Sequence, residues 1–419
     1  KCIRHDTTVP LWNGDIKKAS DIKKRDKLIG DDGTVRTVKN VIKNNGPMYE
    51  IKQSNGDTYY VNDQHTLTLH MPDHKKIFWN NTKNGWTVLW WNNNKKCINV
   101  KTIVVSKPEK ILCNPPNTDK VKTIKKQLIE FCKTINDDNV FDIDIQDYLK
   151  LNKTTKKRLA GIQSSLVKWP KQNVSLDPYV LGLWLGDEMS CGYQFTCNAS
   201  DDKEILKNFR KKGFAPLKKH LDKYNLTNNK HIPSEYLIND KDTRLKVLAG
   251  IIDSDGSVSR NGTRIVICQS LDHKKIVDGI VYLSRSLGFN CKVNINRTSW
   301  TYKGIKKTGS AYKINISGND LENIPTKLPR KKCCSTISNN MSKSTGYLTI
   351  TPTKDDDYIG IEIDGNKRFI INDFTVTHNC ANIYSTEFSI EIVDGKRKKK
   401  YNQKFTNNMY SKEEPVIID

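Results

Sequence analysis

The sequence predicts a mainly β domain interrupted by an α/β insertion. Three observations predict it. Residues 2 to about 107 read as short strands separated by tight turns, residues 176 to 345 alternate helical and extended patterns, and residues 346 to 379 return to strands. One β unit split by an insert explains this order better than three independent domains in a row.

The opening β-region rests on its turns. Asn13-Gly14 and Asp32-Gly33 are hairpin signals, because glycine reaches positive φ without a steric penalty. Extended stretches flank them: Val9 to Trp12, Lys27 to Ile29 and Thr34 to Val38, then Met48 to Lys52 and Thr58 to Val61. Between 108 and about 175 the pattern is mixed, with an amphipathic basic helix expected from Thr123 to Thr134 and a short helix from Asp142 to Leu151. The closing β-region offers Tyr347 to Ile350, Tyr358 to Ile363 and Arg368 to Ile371.

Charge and composition narrow the class. The chain has 419 residues, 70 basic against 46 acidic, a net charge of +24. Such a balance suits a polyanionic partner, because each phosphate contact releases counterions; an A/T-rich coding bias toward Lys and Asn explains it equally well. No apolar run approaches a membrane span, and no apolar leader follows Lys1, so no membrane partner is expected. Eleven cysteines without a CxxC pair argue against a zinc ribbon and for free thiols. The expected setting is reducing and intracellular: cytoplasm, nucleus or a virus-infected cell.

Four residues carry a chemistry together. Cys2 stands near the start, and His378-Asn379-Cys380 follows the last strands. A thiol can attack its own preceding carbonyl and turn the amide into a thioester. A second thiol can take over the acyl group. An asparagine carboxamide can close on its own carbonyl and cut the chain, and a neighbouring histidine can protonate the leaving amine. The first step needs a polarised amide, and His65, at the end of a strand, is the candidate to protonate the leaving nitrogen.

These strings resemble the conserved blocks of inteins. Cys2 to Val9 with Asn13-Gly14 resembles the first block, and Asn62 to Leu67 the second, with His65 on its signature histidine. Tyr358 to Ile363 with Arg368-Phe369, then Thr375 to Cys380, resemble the last two. The pattern is similar to the yeast vacuolar ATPase intein and its relatives. The resemblance implies a Hint fold, a flat horseshoe of strands that brings both splice junctions together. It implies splicing by acyl shift at Cys2, transfer to Cys380 and cyclisation of Asn379, with Asn62, His65 and His378 assisting. Asn62 stands where the family usually has Thr, Gly360 where Asp is common, and Lys367 where His is common.

Inside the insert, Leu181 to Glu188 and Leu248 to Gly256 are apolar helices ending in acids. Gly182 and Gly186, like Gly250 and Ser254, are spaced for close helix contact. Such contact brings Asp187 and Asp255 together as ligands for Mg²⁺, which could activate water for phosphodiester hydrolysis. The second string resembles the LAGLIDADG signature of homing endonucleases, and Lys230-His231-Ile232-Pro233 resembles the family's Lys-x-Ile-Pro block. The resemblance implies a double-strand DNA endonuclease with Lys230 assisting; Lys306 or Lys307 is the candidate symmetric partner. After the second motif, strands are expected at Arg264 to Gln269, Cys291 to Ile295 and Tyr312 to Ile316, a helix from His273 to Leu287 and another from Asn319. No clear strand pair precedes Lys230, and Glu188 replaces a glycine, so weakened or lost cutting is expected.

The expected organisation is therefore a one-residue upstream remnant (Lys1), residues 2–107 and 346–379 as halves of the Hint domain, 108–345 as the LAGLIDADG-like domain and 380–419 as downstream host protein. Residues 71–107, rich in Trp and Lys, fit either a DNA-recognition insert or a small hairpin whose tryptophans form a local core; the hairpin is the simpler reading. Expected partners are double-stranded DNA and the host exteins, and a monomer is expected. Splicing needs no cofactor. A free-standing LAGLIDADG nuclease or DNA-binding protein with a β scaffold is the competing function, but it has no use for Cys2 and His378-Asn379-Cys380.

Overall fold

The computed structural model describes residues 1–105, 113–136, 139–164, 166–186, 214–302, 305–334, 344–378, 386–393, 396–403 and 416–417. Its centre is an eight-stranded antiparallel sheet. In spatial order the strands are Val140–Asp144, Thr66–His70, Ala160–Ile162, Ser344–Ile363, Ile3–Arg4, Thr58–Asn62, Val35–Gln53 and Lys27–Ile29. The two long strands, Val35–Gln53 and Ser344–Ile363, also pair with each other, from Leu348 opposite Gln53 to Ile363 opposite Val38. Chain segments some three hundred positions apart thus make one β unit, as expected of a split domain. Its apolar side chains alternate inward, and Ile3, Val38, Ile51, Val61, Leu67, Ile359 and Ile361 are buried in one core. Gly14 and Gly33 both take positive φ, which their turns require.

Two expectations about this region are corrected. The β unit does not end at residue 107, because Val140–Asp144 and Ala160–Ile162 pair on either side of Thr66–His70 in the same sheet. The helix expected from Asp142 is a strand to Asp144 and a helix only over Ile145–Lys150. The alternation Val140, Phe141, Asp142, Ile143, Asp144 is a period-two pattern with Phe141 and Ile143 buried. The basic helix spans Asp119–Lys133, four residues earlier than its expected start.

The tryptophan-rich stretch is a three-stranded sheet, Ile77–Asn80, Gly85–Asn92 and Cys97–Val104, covered by the Asp119–Lys133 helix. Trp86 is buried against Val121, Ile124 and Leu128, and Trp91 stacks on Phe141 with ring centres 4.2 Å apart. Trp79 meets Trp86 edge-on, and Trp90 meets Phe131. The rings are engaged in packing, which favours the local-core reading over base stacking.

The insert has its own core, built on the helices Pro178–Gly186 and Lys241–Asp255, the helix Lys274–Ser286 and a four-stranded sheet. In that sheet Gly256–Val258, Arg264–Ser270, Ile305–Ser317 and Asn290–Tyr302 lie in that order. The helix expected from Asn319 is only a 3-10 turn over Leu321–Asn323. A third apolar cluster, with Trp169, Ile238, Ile370, Phe374 and Val376, seats the insert against the closing strands. No helix among the described residues is long and apolar enough to cross a membrane.

Candidate active sites

The upstream site is assembled by sheet register. Ile3 pairs with both Val61 and Ile359, which places Cys2 beside Asn62 and Gly360. Cys2 is buried, and its backbone N–H donates to Asn62 Oδ1 at 2.8 Å while the Asn62 N–H donates to the Cys2 carbonyl at 3.1 Å. The N–H of the Lys1–Cys2 bond is therefore held by the asparagine that replaces the usual threonine. Gly360 supplies room: a Cβ there would lie 3.0 Å from Cys2 Sγ and 2.7 Å from Ile42 Cγ1. The acid common in inteins at this position would press on the nucleophile.

His65 is buried, and its Nε2 lies 2.9 Å from Thr377 Oγ1. Burial above all, with the nearby His378 and Lys1, holds its pKa well below the usual histidine value, so the ring is neutral. Among the described residues its buried Nδ1 has no hydrogen-bond partner, and the Cys2 backbone lies close enough to favour the protonated ring.

Thr377 belongs to Val376–His378, which pairs with Arg368–Ile370 so that His378 stands opposite Arg368. His378 is buried, with Nε2 3.9 Å from Asp142 Oδ2. Cys2, Asn62, His65 and His378 thus converge on one place. Asn379 and Cys380 lie outside the described residues. Asp142 was missed by sequence reasoning because its strand was taken for the start of a helix.

The second site lies where the two signature helices end. They touch through glycines: a Cβ on Gly182 would meet the Val247 carbonyl at 2.1 Å, one on Gly250 the Tyr179 carbonyl at 2.2 Å, and one on Gly186 the Ser254 hydroxyl at 1.9 Å. Asp255 is half-buried and accepts from Gln269 Nε2 at 2.8 Å. Asp187 and Glu188 lie outside the described residues, and the described ones hold no cluster of three or more metal-ligating His, Cys, Asp or Glu side chains. Asp255 fits one half of a carboxylate pair for a hard cation.

Asp253, two residues earlier, is structural. It accepts from Tyr179 Oη at 2.8 Å and from the Lys327 N–H at 2.6 Å, and burial raises its pKa.

Lys230 is buried, donates to the Trp184 carbonyl at 3.0 Å and lies over that ring. Its counterpart is Lys331, which donates to the carbonyls of Ile252 and Asp253 at 2.9 and 2.7 Å. Trp184 and Ile252 hold equivalent positions in the two strings, so each signature helix has its last carbonyls capped by one lysine. Lys306 and Lys307 lie instead in strand Ile305–Ser317, paired with Thr301 and Trp300.

Comparisons with known proteins give one family over most of the chain and several partial relatives. A family model described as "Hom_end-associated Hint" matches residues 2–378. Replicative DNA helicase DnaB of Mycobacterium intracellulare is 31% identical over 152 residues, covering 35% of this chain and 25% of that protein. DNA topoisomerase 2 of Acanthamoeba polyphaga mimivirus is 68% identical over 37 residues, 9% of this chain and 3% of that protein. The chain thus spans a quarter or less of these two relatives. The homothallic switching endonuclease of Saccharomyces cerevisiae is 21% identical across 90% of this chain and 79% of its own length. A solved structure, the MchDnaB-1 intein, is 25% identical over 16% of this chain and 51% of its own, with a TM-score of 0.15.

Proposed function

The chain belongs to the Hom_end-associated Hint family, so it is an intein with a linked homing endonuclease, and from that premise we propose which residues splice it. The observation that carries the reading is the grip on Cys2. Asn62 holds the scissile N–H, and a neutral His65 stands beside it, tied through Thr377 to the strand that ends in His378.

A neutral imidazole suits both halves of the first step. His65 takes the Cys2 thiol proton, and the thiolate attacks the Lys1 carbonyl. As the C–N bond breaks, His65 returns the proton to the leaving nitrogen, giving a thioester and a free amine. Cys380 exchanges into the thioester. The Asn379 carboxamide nitrogen then attacks its own carbonyl, the 379–380 bond breaks, and His378 protonates the leaving amine. Intact-mass measurement on a chain with a longer upstream segment tests this: loss of residues 2–379 with ligated flanks supports the reading, and an unchanged precursor refutes it.

Two lengths support a reading of the host. The family match ends at 378, and the 40 residues from Cys380 to Asp419 can accommodate the 37-residue match to topoisomerase 2. Topoisomerases of Arabidopsis thaliana and Dictyostelium discoideum match over the same length. We read 380–419 as downstream extein of a type II topoisomerase.

The insert is read as a double-strand DNA endonuclease with Asp187 and Asp255 as metal ligands and Lys230 and Lys331 as their supports. Bound Mg²⁺ would activate water and stabilise the leaving oxygen. Glu188 in place of glycine is the reason to expect weak cutting. A plasmid carrying the uninterrupted topoisomerase sequence, incubated with Mg²⁺, tests it; efficient linearisation would refute the weakened-nuclease reading.

A further inference from the structure

One carboxylate that the splicing reading does not use faces His378, which precedes the downstream junction in sequence. Strand Val140–Asp144 pairs with Thr66–His70, with Asp142 opposite Thr68 and Asp144 opposite Thr66. The two-residue repeat puts both acids on one face. Thr68 Oγ1 donates to Asp142 Oδ1 at 2.8 Å, and Thr66 Oγ1 to Asp144 Oδ1 at 2.6 Å. Asp144 then lies 3.8 Å from the Lys1 ammonium, on the upstream side. Asp142 faces the other way along the comb. Arg368 holds it as a fork, Nε to Oδ1 at 3.2 Å and Nη2 to Oδ2 at 2.8 Å. The same Oδ2 lies 3.9 Å from His378 Nε2.

Three donors fix this carboxylate in one rotamer, so its distance to His378 is set by the sheet. Arg368 is also the cross-strand neighbour of His378, and the pair Arg368–Asp142 joins strands that belong to different sheets. A fork serving stability alone would not need to share its acceptor oxygen with a histidine next to the scissile bond. Resting on the splicing reading, we propose that Asp142 is a positioning residue for downstream cleavage: it orients His378 and holds its imidazolium, and Arg368 tempers that hold.

The physical basis is a three-body balance. A carboxylate beside a histidine favours the charged ring. The guanidinium on the same oxygens draws off part of that field and repels the imidazolium directly. Other charged or titratable groups around His378 are His65 and Lys1 on the upstream side and Asp31, which lies 3.8 Å from Arg368 Nη1. As general acid for Asn379 cyclisation, His378 must be protonated, so release slows as pH rises through its titration. Removing the Asp142 charge moves that falling limb to lower pH. Removing the Arg368 charge moves it to higher pH. A scaffold role predicts the opposite pattern, with both changes loosening the same ion pair and acting alike.

The test uses the full 419-residue chain and intact-mass readouts at a series of pH values. Two reactions are followed: release of 380–419, and capture of the Lys1 thioester by hydroxylamine. In D142N, release is expected to slow roughly tenfold at pH 7, its falling limb displaced by about one pH unit downward, with thioester capture near wild type. R368Q is expected to displace the limb upward, and D142E to restore part of the wild-type profile. If D142N and R368Q move the limb in the same direction, or not at all, while capturing thioester, the proposal is overturned. If D142N also loses thioester capture, D142E and R368Q decide by the same criterion, and unshifted profiles in both overturn it. A wild-type chain that neither captures thioester nor releases the peptide refutes the splicing reading itself, a distinct outcome.

Discussion

The upstream splice site and the ends of the signature helices are built by opposite means. At the first, residues 2, 62, 65 and 377 meet because antiparallel registers lay separate strands side by side. At the second, two helices carry their own contact code, a small residue every fourth position (Gly182 and Gly186, Gly250 and Ser254), and pack backbone to backbone. The first site is buried and runs on neutral groups, with a histidine held unprotonated. At the second, the half-buried acid Asp255 follows helix ends whose carbonyls are capped by Lys230 and Lys331. A sheet-built centre depends on register across the whole chain, whereas a helix-built one depends on two short strings.

The largest expected effect breaks the sheet-built side. H65A should slow thioester formation roughly 10²- to 10⁴-fold, the usual worth of a general acid–base group, read by hydroxylamine capture. Burial of His65 means a cavity also forms, so H65Q, similar in size, should be nearly as slow; restored capture in H65Q would remove proton transfer from its role. Next is Asn62. N62A leaves the Cys2 N–H without its acceptor, and about 1–3 kcal/mol of hold is lost, slowing capture by roughly five- to a hundredfold. N62T, which returns a side-chain oxygen, should lose less. Equal losses in N62A and N62T would show that the oxygen does not matter.

The helix-built side breaks through packing. G250L drives a side chain into the Tyr179 carbonyl and should destabilise the insert by on the order of 3 kcal/mol, seen as an earlier urea transition. If the two sites are as separate as their construction implies, thioester capture survives under native conditions. Loss of capture in folded G250L would instead show that the insert supports the splicing centre through the cluster around Ile238 and Phe374.

The same contrast explains what the sequence made legible. The signature helices, their glycine contacts and the acid Asp255 follow from short-range pattern, and the structure pairs them as the spacing requires. The β–insert–β layout was also legible, since turn glycines and extended runs recur on both flanks. What escaped depended on long-range register. Asp142 to Asp144 read as the start of a helix because nothing local says that Val140–Asp144 pairs with Thr66–His70, so Asp142 passed unnoticed. Lys331 escaped because its role is defined by the carbonyls of a helix some eighty positions earlier. Asn62 was visible as a departure from the usual threonine, but only the sheet shows that its oxygen meets the Cys2 N–H.

The smallest expected effect tests the seam between the two regions. Arg285, from the insert's helix Lys274–Ser286, donates to the Asp373 carbonyl at 2.9 Å and pairs with Asp57 at 2.8 Å. Asp373 begins the turn that leads to Val376–His378, and its side chain accepts from the Thr375 N–H at 2.8 Å. Desolvation, then the Asp57 charge, pushes its pKa up to about 6. The unfolded value is about 3.9, so the folded state binds more protons between those values. Its contribution to stability is therefore full below about pH 4 and is lost as pH rises through about 6. D373N keeps an oxygen for Thr375 but removes the titration. Urea midpoints should then lose part of their decline between pH 4 and 6, and the variant should match or exceed wild type at pH 7. A decline unchanged by D373N would place the titrating group elsewhere and leave the seam a matter of Arg285 and apolar contact alone.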